Sequence, residues 1–67
     1  MSSDLRGVSG HLLTEKQASQ RMNVSVALLR KWRRVGGGPP YCKLGSLVRY
    51  SESDLMAFIE QNRVEAA

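Results

Sequence analysis

The stretch that most narrows the folds open to this chain is NVSVALLRKWRRVGGGPP, residues 23–40, because it carries its own start, its own stop and two chemically different sides. Asn23 tolerates the left-handed conformation in which a helix ends, and Ser25 has a hydroxyl suited to capping the start of the next one. Only a tight turn fits between them. Wound at roughly 100° per residue, VALLRKWRRV over 26–35 places Leu28, Leu29, Trp32 and Val35 on one side, which is expected to face a core. The opposite side carries Arg30 and Arg34 at its centre, flanked by Val26, Ala27, Lys31 and Arg33. Gly36, Gly37 and Gly38 then supply a left-handed stop, and Pro39 and Pro40 prevent the helix from resuming. A phosphate-cradling glycine loop is excluded, since that pattern needs Gly-Lys-Ser/Thr opening a helix after a strand.

A helix must precede the turn, and its start is legible. Thr14 and Gln17 have the spacing of a capping box, and Leu13 and Ala18 that of a hydrophobic staple, so the first helix is predicted over Glu15 to Met22. After the prolines, YCKLGSLVRY over 41–50 places strand-forming residues on both sides of Gly45-Ser46, a pair suited to a two-residue hairpin turn. Pairing Leu44 with Leu47 puts Tyr41, Lys43, Val48 and Tyr50 on one face and Cys42, Leu44, Leu47 and Arg49 on the other. The face with two tyrosines and a valine is expected to pack inward. Ser51 with Asp54, and Tyr50 with Leu55, predict a last helix from near Glu52, burying Leu55, Phe58 and Ile59 and fading by Arg63.

The predicted fold is mainly α with a small β-hairpin: a helix-turn-helix, a two-stranded wing and a C-terminal helix. Residues 1–10, rich in Ser and Gly, read as a flexible arm, 11–63 as the domain and 64–67 as a tail. A 67-residue chain buries only roughly 60% of its unfolded surface, so its stability is expected to be marginal. No apolar run approaches the roughly 20 residues of a membrane span, and MSSDLRGVSG lacks the apolar centre of a secretory signal, so a soluble cytoplasmic protein is expected.

One cysteine and one histidine fall short of a zinc site and exclude an internal disulfide; no metal or cofactor is expected. Cys42 reads as a hairpin filler, His11 has no assigned role, and Trp32 reads as a core anchor rather than a base-stacking platform. The chain offers no paired carboxylates and no nucleophile with a base, so it is not expected to be an enzyme.

The net charge of +4 matters less than its distribution. All six acids lie outside residues 16–51, whereas Lys16, Arg21, Arg30, Lys31, Arg33, Arg34, Lys43 and Arg49, eight of the ten bases, lie within. A solvated basic face is the plainer reading of such a run; eight bases without an acid favour a polyanionic partner. Two helices joined by a tight turn, the second basic on its exposed side, match the helix-turn-helix, whose second helix lies in the DNA major groove.

The candidate contacts with double-stranded DNA are therefore Ser25, Val26, Ala27, Arg30, Lys31, Arg33 and Arg34. Position favours Val26, Ala27 and Arg30 for base edges, with Arg33 and Arg34 nearer the backbone. Lys43 and Arg49 make the hairpin a candidate wing reaching the neighbouring backbone or minor groove. The alternative is a hairpin that only closes the core.

The segments LLT, NVS, LRKW, GPP, KLG, VRY and SDL, in this order within LLTEKQASQRMNVSVALLRKWRRVGGGPPYCKLGSLVRYSESDLMAFI, resemble the excisionase-type, MerR-like winged helix-turn-helix family. The resemblance covers about three quarters of the chain. It implies a DNA-binding domain with a wing, of the kind found in phage and mobile-element excisionases and in small transcription regulators. It gives Arg30 and its basic neighbours the groove-contacting role and Arg49 a place at the wing base. Relatives often carry an arginine at the wing tip, where this chain has Ser46 and Leu47, leaving Lys43 and Arg49 to carry the wing's charge.

From the resemblance follows the leading expectation: an excisionase, or recombination directionality factor, of a phage or mobile element in a bacterial cell. Its copies would bind side by side, bend the DNA and assist an integrase without performing chemistry. The alternatives are a small transcription regulator of the same fold and, from another class, a protein-interaction module docking Leu47 and the basic helix on an acidic partner. That the chain ends at Ala67, without the long coiled helix of dimeric MerR-type regulators, favours the architectural role a little.

Overall fold

The computed structural model describes residues 11–65. The expected arm over 1–10 lies outside them, as does the end of the expected tail. In chain order the elements are β1 (Leu12–Thr14), α1 (Glu15–Met22), α2 (Val26–Val35), β2 (Cys42–Leu44), β3 (Leu47–Ser51) and α3 (Glu52–Gln61). The result is a helix-turn-helix with a wing, as expected, but the wing belongs to a three-stranded antiparallel sheet ordered β1-β3-β2.

Each helix begins where a hydroxyl can satisfy an otherwise unpaired N–H. The Thr14 hydroxyl accepts from the Gln17 N–H at 3.1 Å while the Gln17 side chain accepts from the Thr14 N–H at 2.9 Å, closing the capping box. Ser25 accepts from the Leu28 N–H at 3.0 Å, and Ser51 from that of Asp54 at 3.4 Å. Asn23 ends α1 at φ 57°, and the Val24 N–H then donates to the Ser19 carbonyl at 3.0 Å, so the turn is held by backbone bonds as well as by residue type.

Gly36 ends α2 at φ 81°, and its N–H donates to the Trp32 carbonyl. Gly38 has a different task from its neighbours. A Cβ there would lie 2.6 Å from that of Trp32, so only glycine lets the chain pass over the indole.

The hairpin has the expected register, with Leu44 opposite Leu47, Lys43 opposite Val48 and Cys42 opposite Arg49. β1 was not expected. It pairs Leu12 with Ser51, Leu13 with Tyr50 and Thr14 with Arg49, and the Glu52 N–H extends the pairing to the His11 carbonyl at 2.8 Å. The segment preceding the first helix is thus tied to the segment preceding the last one.

Leu13, Ala18, Leu29, Tyr50 and Leu55 are buried and form the core, with Met22, Val24, Trp32 and Val48 packed against it. Burying a side chain of leucine size contributes about 1.5–3 kcal/mol, so few positions carry most of the stability. Trp32 is half-buried and meets Phe58 with ring centroids 5.6 Å apart, joining α2 to α3.

Three expected core positions are corrected. Val35 is 63% exposed, because α2 ends there and the chain turns away at Gly36. Ile59 (41%) and Tyr41 (43%) are also largely exposed. Leu55 and Phe58 carry the α3 contact, and Tyr41 precedes β2 and tilts over the edge of the Tyr50 ring, 6.2 Å away between centroids. Among the described residues no helix is long and apolar enough to cross a membrane.

Candidate nucleic-acid interface

The outward face of α2 is set by how the helix sits on Leu29, which is fully buried. At about 100° per residue, Ala27, Lys31 and Arg34 lie roughly 140–160° from Leu29, and all three are exposed. Arg33, four residues after Leu29, lies only about 40° from it, and Val26 about 60°. Both are half-buried. Grouping Arg33 with the exposed flank is therefore corrected: its side chain, 20% exposed, runs along the edge of the core.

There Arg33 Nη1 donates to the Tyr50 hydroxyl at 2.9 Å and lies 3.0 Å from the Glu15 carboxylate, with the guanidinium 5.7 Å from the Tyr41 ring centroid. The Tyr50 bond is the chief cause that raises the Arg33 pKa, with Glu15 adding to it against the opposing effect of burial. Tyr50, the largest fully buried side chain, satisfies its polar end in this way.

Arg30 stands at the edge of the exposed face, its side chain 62% exposed, yet its guanidinium is held. Nε and Nη2 donate to the two oxygens of Glu15 at 3.1 and 2.8 Å, a bidentate pair with fixed geometry. The Arg30 bond is also the main reason the Glu15 pKa lies below the usual carboxylate value, and reciprocally Glu15 raises that of Arg30. Glu15 is the first residue of α1, beside the Thr14 cap, where the partial positive charge of the helix start also suits a carboxylate.

The basic run is thus partly neutralised by acids that stand outside it in sequence. Glu15 serves Arg30 and Arg33, and Glu52 pairs with Arg21. Lys16, Lys31, Arg34 and Lys43 have no carboxylate partner among the described residues.

The Ser25 hydroxyl is engaged as the α2 cap, so its expected place in the interface falls to its exposed backbone and surface. On the wing, Lys43 is exposed, while Arg49 is half-buried and donates to the Val48 carbonyl at 2.8 Å.

A cleft of about 410 Å³ lies between the start of α1, α2 and the wing, and Lys16, Arg30, Arg33, Leu47 and Arg49 line it with Glu15. It brings the wing base and the second helix together, as the sequence could not show. Lys16, absent from the expected contacts, belongs to this surface. So does Glu15, whose only sequence signal was its place beside a helix cap. Among the described residues no three His, Cys, Asp or Glu side chains gather as metal ligands.

A helix-turn-helix followed by a sheet wing, with a cationic outward face on the second helix, defines a DNA-binding winged helix-turn-helix domain. The chain belongs to the helix-turn-helix domain family, whose pattern it matches over residues 12–63, from β1 to just beyond α3. No curated protein matches it.

Proposed function

We propose that this protein binds double-stranded DNA sequence-specifically as an architectural factor, an excisionase that acts in adjacent copies, bends its site and assists an integrase. The observation that carries DNA recognition is the exposed face of α2, with Ala27, Lys31 and Arg34 outward and a carboxylate-ordered Arg30 at its edge. A major groove about 12 Å wide accepts such a helix. An arginine already held by two hydrogen bonds loses less freedom on meeting guanine than a loose one. Ala27, and Val26 at its margin, are placed for a thymine methyl, while Lys31 and Arg34, with Lys43 and Arg49 on the wing, meet phosphates.

The architectural reading rests on the resemblance and on size. A single module buries only roughly 600–1,000 Å² of its own surface on DNA, so discrimination calls for neighbouring copies. Bending a site by tens of degrees costs on the order of 1–6 kcal/mol, which repeated basic contacts offset.

The test is gel shift and footprinting on attachment-site and promoter DNA across a salt series. Engagement of four or five phosphates gives a log–log slope of roughly −3.6 to −4.5 per bound copy. A ladder of cooperative complexes over adjacent attachment-site repeats supports the excisionase. One isolated promoter footprint replaces it with a transcription regulator, and no sequence preference replaces both with a protein-interaction module. Within the interface, Arg30→Ala is expected to reduce specific binding most, and equal loss on specific and random DNA overturns its base-reading role.

A further inference from the structure

Leu44 and Leu47 are exposed apolar residues paired at one place in the fold, and neither the core nor the charged interface explains them. They face each other across the Gly45-Ser46 turn, at the tip of the hairpin, and are 51% and 53% exposed. Neither belongs to the core cluster. Alternation along the strands puts them on the sheet face that carries Arg49 and Cys42, opposite the face of Val48 and Tyr50 that packs inward. Leu47 also lines the cleft shared with Arg30, Arg33, Lys16 and Arg49, so the apolar tip projects beside the cationic surface. Lys43 flanks Leu44 and is exposed.

We infer that the Leu44–Leu47 pair is an apolar wedge that enters the DNA minor groove and unstacks one base step. The inference rests on the DNA-binding reading above. With α2 in the major groove, the hairpin beside it lies toward the adjacent minor groove, and the bases around its tip keep it against the phosphate backbone. Directly opposed residues of an antiparallel pair hold their Cβ atoms about 4.5–5.5 Å apart, so the two side chains form one apolar unit broader than the relaxed groove of about 6 Å, and entry goes with opening of the groove. Leucine is among the side chains with which proteins part base steps and kink the duplex toward the major groove. The flexible pyrimidine–purine steps, TA and CA/TG, yield most readily, so the wedge selects sequence by deformability without hydrogen bonding to a base. Charge complementarity points to DNA as the occupant: Lys43 beside the tip and Lys16 in the adjoining cleft have no carboxylate partner among the described residues, and phosphates neutralise both.

The experiment uses the full chain and a duplex it selects from a random-sequence pool, with 2-aminopurine replacing each adenine in turn. Binding of the natural protein is expected to raise fluorescence several-fold at one step beside the α2 footprint and to shift circular-permutation mobility as a bend does. Leu44→Thr with Leu47→Thr keeps strand propensity and removes the wedge. Far-ultraviolet circular dichroism and melting verify its fold. That variant is expected to bind the same duplex within about tenfold, with the fluorescence rise abolished and the bend reduced.

A footprint with no fluorescence rise at any step overturns the wedge and leaves DNA binding intact. So does a double variant that keeps the full rise. Loss of cooperativity in that variant, with the rise unchanged, assigns the leucines to contacts between copies instead. If the pool yields no bound duplex, the DNA-binding reading and the wedge fall together.

Discussion

The arginines of α2 fall into two kinds that the sequence RKWRR does not distinguish. Arg33 is held by Tyr50 and Glu15 at the edge of the core, whereas Arg34, one residue on, projects from the helix with no carboxylate partner among the described residues. Arg30 stands between them, exposed like Arg34 and tethered like Arg33. Equal charges at neighbouring positions therefore stand in different settings: Arg33 ties the helix-turn-helix to the sheet, Arg34 projects into solvent, and Arg30 presents an ordered guanidinium at the edge of the exposed face. The dividing line is angular distance from Leu29, the residue on which the helix rests.

The strongest way to break this arrangement is to remove its seat. Leu29→Ala is expected to cost about 2–5 kcal/mol, enough to unfold much of so small a domain and erase the difference between the arginines. Thermal melts followed by circular dichroism measure it. Arg33→Ala comes next, with an expected loss of about 1.5–3 kcal/mol because the Tyr50 hydroxyl and the Glu15 carboxylate lose a charged partner. Urea unfolding that shows no loss would place Arg33 with the exposed set.

Glu15→Gln sharpens the contrast at a smaller scale, costing up to about 1 kcal/mol at neutral pH, as an ion pair near the surface does. Glu15 titrates below the usual carboxylate range because of Arg30. Its contribution is therefore complete above the unfolded value of about 4.3 and disappears as pH falls through the lower folded value. Natural and variant stabilities should converge once the pH has fallen below the folded value of Glu15. On DNA the same substitution is expected to strengthen binding to random sequence while narrowing the preference for the selected site, since it removes a repelling charge and loosens Arg30.

Arg34→Ala should be nearly silent in folding, within about 0.5 kcal/mol, and lower the salt slope of DNA binding by about one for all sequences alike. A stability loss comparable with that of Arg33→Ala would dissolve the distinction.

Much of the scaffold is legible in the sequence. The α1 start at Thr14, the turn through Asn23, the caps at Ser25 and Ser51, the stop at Gly36 and the Leu44–Leu47 register all stand as expected. Each is a bond or steric preference spanning only a few residues. Val35 and Ile59 were misplaced for a related reason: helical periodicity tells which residues share a side, but not where the neighbouring element stops covering it. Arg33 differs for another reason: its wheel position lies nearer Leu29 than that of Arg34, and a charged side chain can run along the core edge there because Tyr50 and Glu15 receive it.

What remained to the tertiary structure was everything that joins distant segments. LLT over 12–14 is too short to show a strand period, and it becomes β1 only because β3 offers a free edge. Glu15 sits outside the basic run in the chain but reaches Arg30 and Arg33 across the turn, which converts an apparently uninterrupted polycation into ordered and available charges. The cleft between α2 and the wing, with Leu47 at its rim, exists only once the hairpin has folded back beside the helix. The sequence by itself determined the caps, stops and turn because these are bonds between near neighbours. The division of charges into tethered and exposed was decided by packing, since it depends on which side chains meet across the core.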